Sequence, residues 1–466
     1  MKKNEEYVGI VNNIGANGEG VILNGDTVVF LPYAITGEKV RYKILKTVKN
    51  CAYAKLLEVC TPSEKRVRPK CSAFIKCGGC QIQHIDYSSQ LKIKEDAIHQ
   101  CFKKIAGLDI TVDKTVECKN EYHYRNKLSL PVGQDENGFK IGFYAENSHR
   151  VVAIEDCPIN PAWTKDVISA FSEYMKEFNL SGYNEITHKG NIREITVREV
   201  SDALIITAVI NGDNLIGEQR LIEIIKSKID KEFSLFYNVN KKDTNVIYGE
   251  KFTLLYGKPF YYAEQFGIKY KIGVQSFMQV NDYISLKLYQ AVKDNALTDD
   301  ETTVIDAYSG AGLMTALTSK DAKNGVGIEI VKEAVDCADE LMKINGLDDK
   351  VVNYCGKCED ILPKIIPTIK NKTCLILDPP RKGCDEKVIR AITESNIEKI
   401  IYVSCMPSTL ARDVGLLTGN LIFTKEGIKK SEKPSFNYKI RSITPFDMFP
   451  QTKHVETLCV LTKYDR

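Results

Sequence analysis

The sequence contains no apolar run approaching the roughly 18 residues needed to span a bilayer. Its first residues, MKKNEEYVG, lack the apolar core of a signal peptide. These absences exclude a membrane-embedded protein and leave the cytoplasm as the expected location, with no membrane partner. Internal repeats and low-complexity tracts are also missing, which excludes solenoids and arrays. Nor is there a large excess of one charge. The formal net charge of +3 over 466 residues is too small to announce a nucleic-acid binder, although a stretch such as EKRVRPK (64–70) could form a local basic patch. What is present is globular: 43% hydrophobic and 27% charged residues, in a chain long enough for about three domains at about 150 residues each.

Fifteen cysteines require a reading. Without an export signal a disulfide framework is not expected, so the thiols are core residues, metal ligands or catalysts. Cys71-x5-Cys77-x2-Cys80, with Gly78 and Gly79 inside the close pair, has the spacing of a metal site because glycines let a loop wrap a cluster. Cys157, in EDCPIN, is the best fourth ligand. Spacing leaves zinc and iron–sulfur both open, since each accepts four thiolates.

Three composition regimes follow along the chain. Residues 5–59 alternate as about five short strands broken by glycine turns, which predicts a small OB-like β-barrel over 1–60. Residues 61–265 mix strands (YRNKLSLPVG, FKIGFYA, IREITVREV, DALIITAVI) with helices near 164–178 and 218–229, a central α+β domain. LKIKEDAIHQCFKKI has a helical period, and a helix over 91–112 is expected to pack on the C-terminal domain. Residues 266–466 form that domain: TTVIDAY, NGVGIEI, KVVNYCG, TCLILDP and EKIIYVSC alternate with helical segments, the pattern of a doubly wound, Rossmann-like α/β sheet.

Candidate site residues gather at the ends of those strands. In VIDAYSGAGLMTAL, Asp306 ends a strand before Gly310-x-Gly312, where a backbone approaches a nucleotide-like ligand. Glu329 ends the next strand, where an acidic side chain takes a ribose hydroxyl. The third glycine of a dinucleotide fingerprint is replaced by Thr315, which argues against NAD and favours S-adenosylmethionine, a ligand with a ribose and no pyrophosphate. Asp378 precedes two prolines that stiffen its loop. Cys405 follows the run IIYVS. A core cysteine is the ordinary reading there, but the C-terminal edge of a parallel sheet is also where ligands bind.

FMQVN (277–281), DAYSGAG (306–312), LDPPRKG (377–383), VSCMPSTLARD (403–413) and FDMFPQTKHVE (446–456) resemble, in order and spacing, the RNA uracil-C5 methyltransferases. The resemblance runs over the whole chain. It implies that Cys405 is the nucleophile and Glu456 the general base, with Gln279, Tyr308, Glu329 and Asp378 around S-adenosylmethionine and the target base. It implies an RNA-binding TRAM domain for the barrel and a [4Fe–4S] cluster on Cys71, Cys77, Cys80 and Cys157, an arrangement carried by the 23S ribosomal RNA members. A monomer acting on 23S ribosomal RNA is therefore expected, with transfer RNA as the alternative. Met406 stands where many relatives have Asn, and Tyr308-Ser309 replaces a more usual Phe-Cys. Cytosine-C5 methylation is disfavoured because relatives of that type place a cysteine directly after the Asp-x-Pro loop, where this chain has Arg381. A non-catalytic RNA-binding protein is disfavoured by intact Cys405 and Glu456.

Overall fold

The glycine-punctuated N-terminal strands form one closed sheet. In the computed structural model, which describes residues 1–296, 298–434 and 437–464, the strands are Glu6–Ile10, Asn13–Ile14, Gly20–Asn24, Thr27–Leu31, Lys39–Val48 and Cys51–Thr61. Glu6–Ile10 pairs with Lys39–Val48, while Asn13–Ile14 just beyond it pairs with Gly20–Asn24. One bent stretch thus supplies both edges, and the sheet closes as a barrel. Alternation turns Val29, Leu31, Val40, Tyr42 and Ile44 inward. The short Asn13–Ile14 strand is the one beyond the five expected. Fully buried Glu38 ties the barrel to the following segment, accepting from Arg66 Nε at 2.6 Å and from the Ser63 amide at 3.2 Å.

The central unit is a seven-stranded sheet whose middle strands, Lys127–Asp135, Ile192–Val200 and Ala203–Ile210, are the apolar runs anticipated from sequence. Helices Trp163–Glu177 and Glu218–Lys228 bury Phe171, Tyr174, Leu221 and Ile225 against it.

Helix α1 spans Tyr87–Cys101, N-capped by the Asp86 carboxylate, which accepts from the Ser89 amide at 3.0 Å. It continues as a π-turn over Phe102–Ala106 and stops at Gly107 with φ +70°. It does not reach residue 112 as expected. Residues 113–116 instead run extended, with the amides of Asp113 and Val116 donating to Ile443 and Pro445 carbonyls. Ile98 and Phe102 join the hydrophobic core of the C-terminal domain.

That domain carries strands β1 (Thr302–Ala307), β2 (Asn324–Glu329), β3 (Val351–Cys355), β4 (Lys372–Leu377), β5 (Lys399–Ser404), β6 (Tyr438–Phe446) and β7 (Glu456–Lys463). Their order is β3-β2-β1-β4-β5-β7-β6. β1 to β5 are parallel, whereas β7 is antiparallel to both β5 and β6. The sheet is therefore mixed, not wholly parallel. No crossover helix separates β6 from β7, so the chain can only fold back antiparallel. Helices cover both faces, Asp282–Ala296 and Leu313–Ser319 on one, Glu386–Thr393 and Pro407–Leu417 on the other. Among the described residues no helix is long and apolar enough to cross a membrane.

Candidate active site

The C-terminal edge of β1, β2, β4 and β5 opens into a cavity of about 1660 Å³, walled on its other side by the central unit. Gln279, Tyr308, Glu329, Asp378, Cys405 and Glu456 all line it, and so do Cys71, Cys77, Cys80 and Cys157.

Cys405 follows the last residue of β5, where Pro407 starts the next helix. Ser404 pairs with Thr457 across the antiparallel β5–β7 ladder, so Cys405 and Glu456 fall at the next rung, at the cavity edge. Burial pushes the Cys405 thiol up, as do the charges of Glu456 and Asp378; the hydrogen-bonded Arg381 guanidinium opposes them. Glu456, buried, has its carboxyl held well above the usual range by desolvation and by the charge of Asp378. Desolvation pushes Asp378 up to about 7. His454, two residues before Glu456, also lines the cavity. Burial and the cations Arg381, Lys453, Lys94 and Arg125 push its imidazole down to about 4, so it is neutral at pH 7.

The residues expected on the cofactor side sit less simply than their motif suggests. Glu329 accepts from the Gly310 amide at 3.1 Å and from the Val331 amide at 2.8 Å, which closes the turn after β1 onto β2. Gly312 has φ +84°, and a Cβ there would lie 2.8 Å from that of Ala338, so both backbone and packing require glycine. Thr315, in place of the third fingerprint glycine, donates its hydroxyl to Asp306 at 2.6 Å. Asp306 is thereby committed inward, at 2% exposure, with its carboxyl pushed by burial up to about 7. Tyr308 adopts φ +73°. Tyr308 lines the cavity, and burial together with the neighbouring thiols of Cys358 and Cys384 pushes its hydroxyl up. Gln279 is fixed through its carbonyl, which accepts from Asn126 Nδ2 at 2.9 Å. Arg381 and Asn126 do not belong to the expected set; Arg381 is close to Asp378 in sequence, but nothing local marks Asn126. His454 is marked by its spacing: two residues from Glu456 in an extended segment, it is the rival to Glu456 as the base or the group that orients it.

The cysteine loop packs on the central sheet through Gly78, whose amide donates to the Tyr144 carbonyl at 3.0 Å. A Cβ on Gly78 would stand 3.0 Å from the Glu146 backbone. The four thiols act on one another electrostatically: ionised Cys71, Cys77 and Cys157 each raise Cys80, which burial already pushes up to about 12. Cys157 is likewise pushed up to about 12. Among the described residues no group of three or more His, Cys, Asp or Glu is arranged to hold a metal ion, so the four cysteines share the cavity lining without forming a coordination site in this arrangement.

The model of the tRNA (Uracil-5-)-methyltransferase family matches residues 368–464, the segment carrying Asp378, Cys405 and Glu456. The chain is 35% identical to a protein of Clostridium acetobutylicum described as an uncharacterized RNA methyltransferase, covering 100% of this chain and 99% of the relative. Identity to a Bacillus cereus protein of the same description is 33%, over 100% and 98%. Its fold is similar to that of the Pyrococcus abyssi tRNA (uracil-54, C5)-methyltransferase solved with S-adenosyl-L-homocysteine, with TM-score 0.76 and 24% identity over 98% of this chain and 100% of the other.

Proposed function

This chain belongs to the RNA (uracil-C5)-methyltransferase family, and from that premise we propose that it methylates C5 of a uridine in 23S ribosomal RNA through a covalent Cys405–C6 adduct. The observation that carries the reading is the sharing of one cavity wall by Cys405, Arg381, Asp378 and Glu456. Uracil C5 is a poor nucleophile. Addition of the Cys405 thiolate to C6 makes C5 an enolate carbon able to accept a methyl group. Arg381 favours that thiolate against its acidic neighbours. S-adenosylmethionine, when bound, supplies the electrophilic methyl group; Gln279, Tyr308 and Glu329 would hold it, with the turn at Gly310 and Gly312. Glu456 then takes the C5 proton, the double bond re-forms and the thiolate leaves. Both faces of the base must be reached, so the target nucleotide has to be unstacked into the cavity.

Cys71, Cys77, Cys80 and Cys157 would hold a [4Fe–4S] cluster, whose role would be structural, to pin the cysteine loop. The barrel, as a TRAM-like unit, adds RNA contacts. Transfer RNA is the second reading, favoured by the family description and by the Pyrococcus abyssi enzyme, whose fold is similar over nearly the whole chain. Mapping 5-methyluridine in RNA from a strain lacking this protein tests the substrate. The proposal expects loss from 23S ribosomal RNA; loss from transfer RNA alone replaces it by the second reading, and no loss from either contradicts both.

A further inference from the structure

Helix α1 buries the wrong kind of residue. Gln90 and Lys94 are each 1% exposed. With Tyr87 they lie at i, i+3 and i+7, a single helical face. A polar stripe is tolerated in a core only if each group is paired, and most of its partners lie in the segment between β6 and β7, the others being the Cys118 backbone at Tyr87 and the Ile85 carbonyl at Gln90. Lys94 Nζ donates to Asp447 Oδ1 and, at 3.1 Å, to the Phe449 carbonyl. Tyr87 donates to Asp447 Oδ2 at 2.7 Å. Gln90 and Gln451 exchange two bonds, Nε2 to Oε1 and Oε1 from the backbone amide, both at 3.0 Å. Gln451 is held at φ +70°, in the left-handed region that a glutamine adopts only where its surroundings fix it. This turn leads through Thr452 and His454, both on the cavity wall, directly to Glu456.

We infer that Tyr87, Gln90 and Lys94 are positioning residues for proton removal, acting through the 447–451 turn to aim Glu456 at C5. The inference rests on the uracil-C5 reading. In the step concerned the Glu456 carboxylate accepts the C5 proton, the C–H electron pair becomes the C5–C6 double bond, and the C6–S bond breaks with its pair returning to Cys405. Thiolate addition and methyl transfer precede it and do not use Glu456. Loosening the turn therefore slows product release and leaves adduct formation intact.

The test compares wild type with Gln90→Leu, Tyr87→Phe and the pair Lys94→Met with Asp447→Leu, which removes the ion pair without stranding one charge. Each is assayed with S-adenosylmethionine for trapping of RNA containing 5-fluorouridine, turnover of ordinary RNA, methylated adduct on denaturing gels, and melting temperature. The expected result is trapping at the wild-type rate, turnover lower by roughly 10- to 100-fold, and accumulation of adduct on ordinary RNA. Unchanged turnover overturns the inference. A parallel fall in trapping, turnover and melting temperature overturns it as well, because it reduces the stripe to a structural role; Tyr87→Phe, the mildest change, decides if the others do not fold. Failure of the wild-type protein itself to trap 5-fluorouridine removes the uracil-C5 reading, and this inference with it.

Discussion

Asp378 and Glu456 line the same cavity, and the charge of Asp378 holds the buried Glu456 carboxyl further above its usual range than burial alone does. Both effects favour the protonated form of Glu456, whereas the carboxylate is the form that accepts a proton.

The first prediction concerns stability. A carboxyl whose folded value is raised above the unfolded one keeps its proton in the fold and loses it on unfolding, so stability falls as pH rises from the ordinary value of 4.5 upward. Glu456→Gln cannot ionise. Its melting temperature should exceed that of wild type by a margin that widens from about pH 5 to about pH 8. Asp378→Asn should behave alike, its margin growing between 3.8 and about 7 and then levelling. Thermal melts across that range check both; a constant or shrinking margin contradicts the assignment.

A second prediction concerns the cysteine loop. Protein purified without oxygen should be brown and contain about four iron atoms per chain. Cys77→Ala and Cys157→Ala should each lower iron content and yield. Stoichiometric zinc without iron would rule the cluster out.

The barrel gives a third. Deleting residues 1–60 should weaken RNA binding and make its salt dependence shallower, by about 0.7 in log–log slope for each single-strand phosphate that the barrel neutralises. Binding of S-adenosylmethionine should persist. An unchanged RNA affinity and slope would make the barrel a scaffold only.

Elements with a strong local pattern are legible in the sequence. The apolar runs of β1, β2, β4 and β5 mark buried parallel strands, and their ends put Asp306, Glu329, Asp378 and Cys405 at one edge. What is not legible depends on distant partners. The antiparallel placement of β7 between β5 and β6 is a tertiary choice that an apolar run does not encode. The buried α1 face of Tyr87, Gln90 and Lys94 carries no mark in the sequence, because its partners at Asp447 and Gln451 lie more than 350 residues away in the chain. Thr315 looks like a defect in a glycine fingerprint until its bond to Asp306 gives it a role.

The account stands on Cys405 as a nucleophile toward uracil C6. The direct measurement is to incubate the protein with S-adenosylmethionine and RNA carrying 5-fluorouridine in place of uridine, then digest the product and locate the modified peptide by mass spectrometry. Fluorine cannot leave C5 as a proton does, so the reaction should stop at a methylated, fluorinated uracil bonded to the sulfur of Cys405, and Cys405→Ala should give no complex and no 5-methyluridine on ordinary RNA. A Cys405→Ala protein that methylates uridine at a rate near wild type, or an adduct mapping to another cysteine, would contradict it.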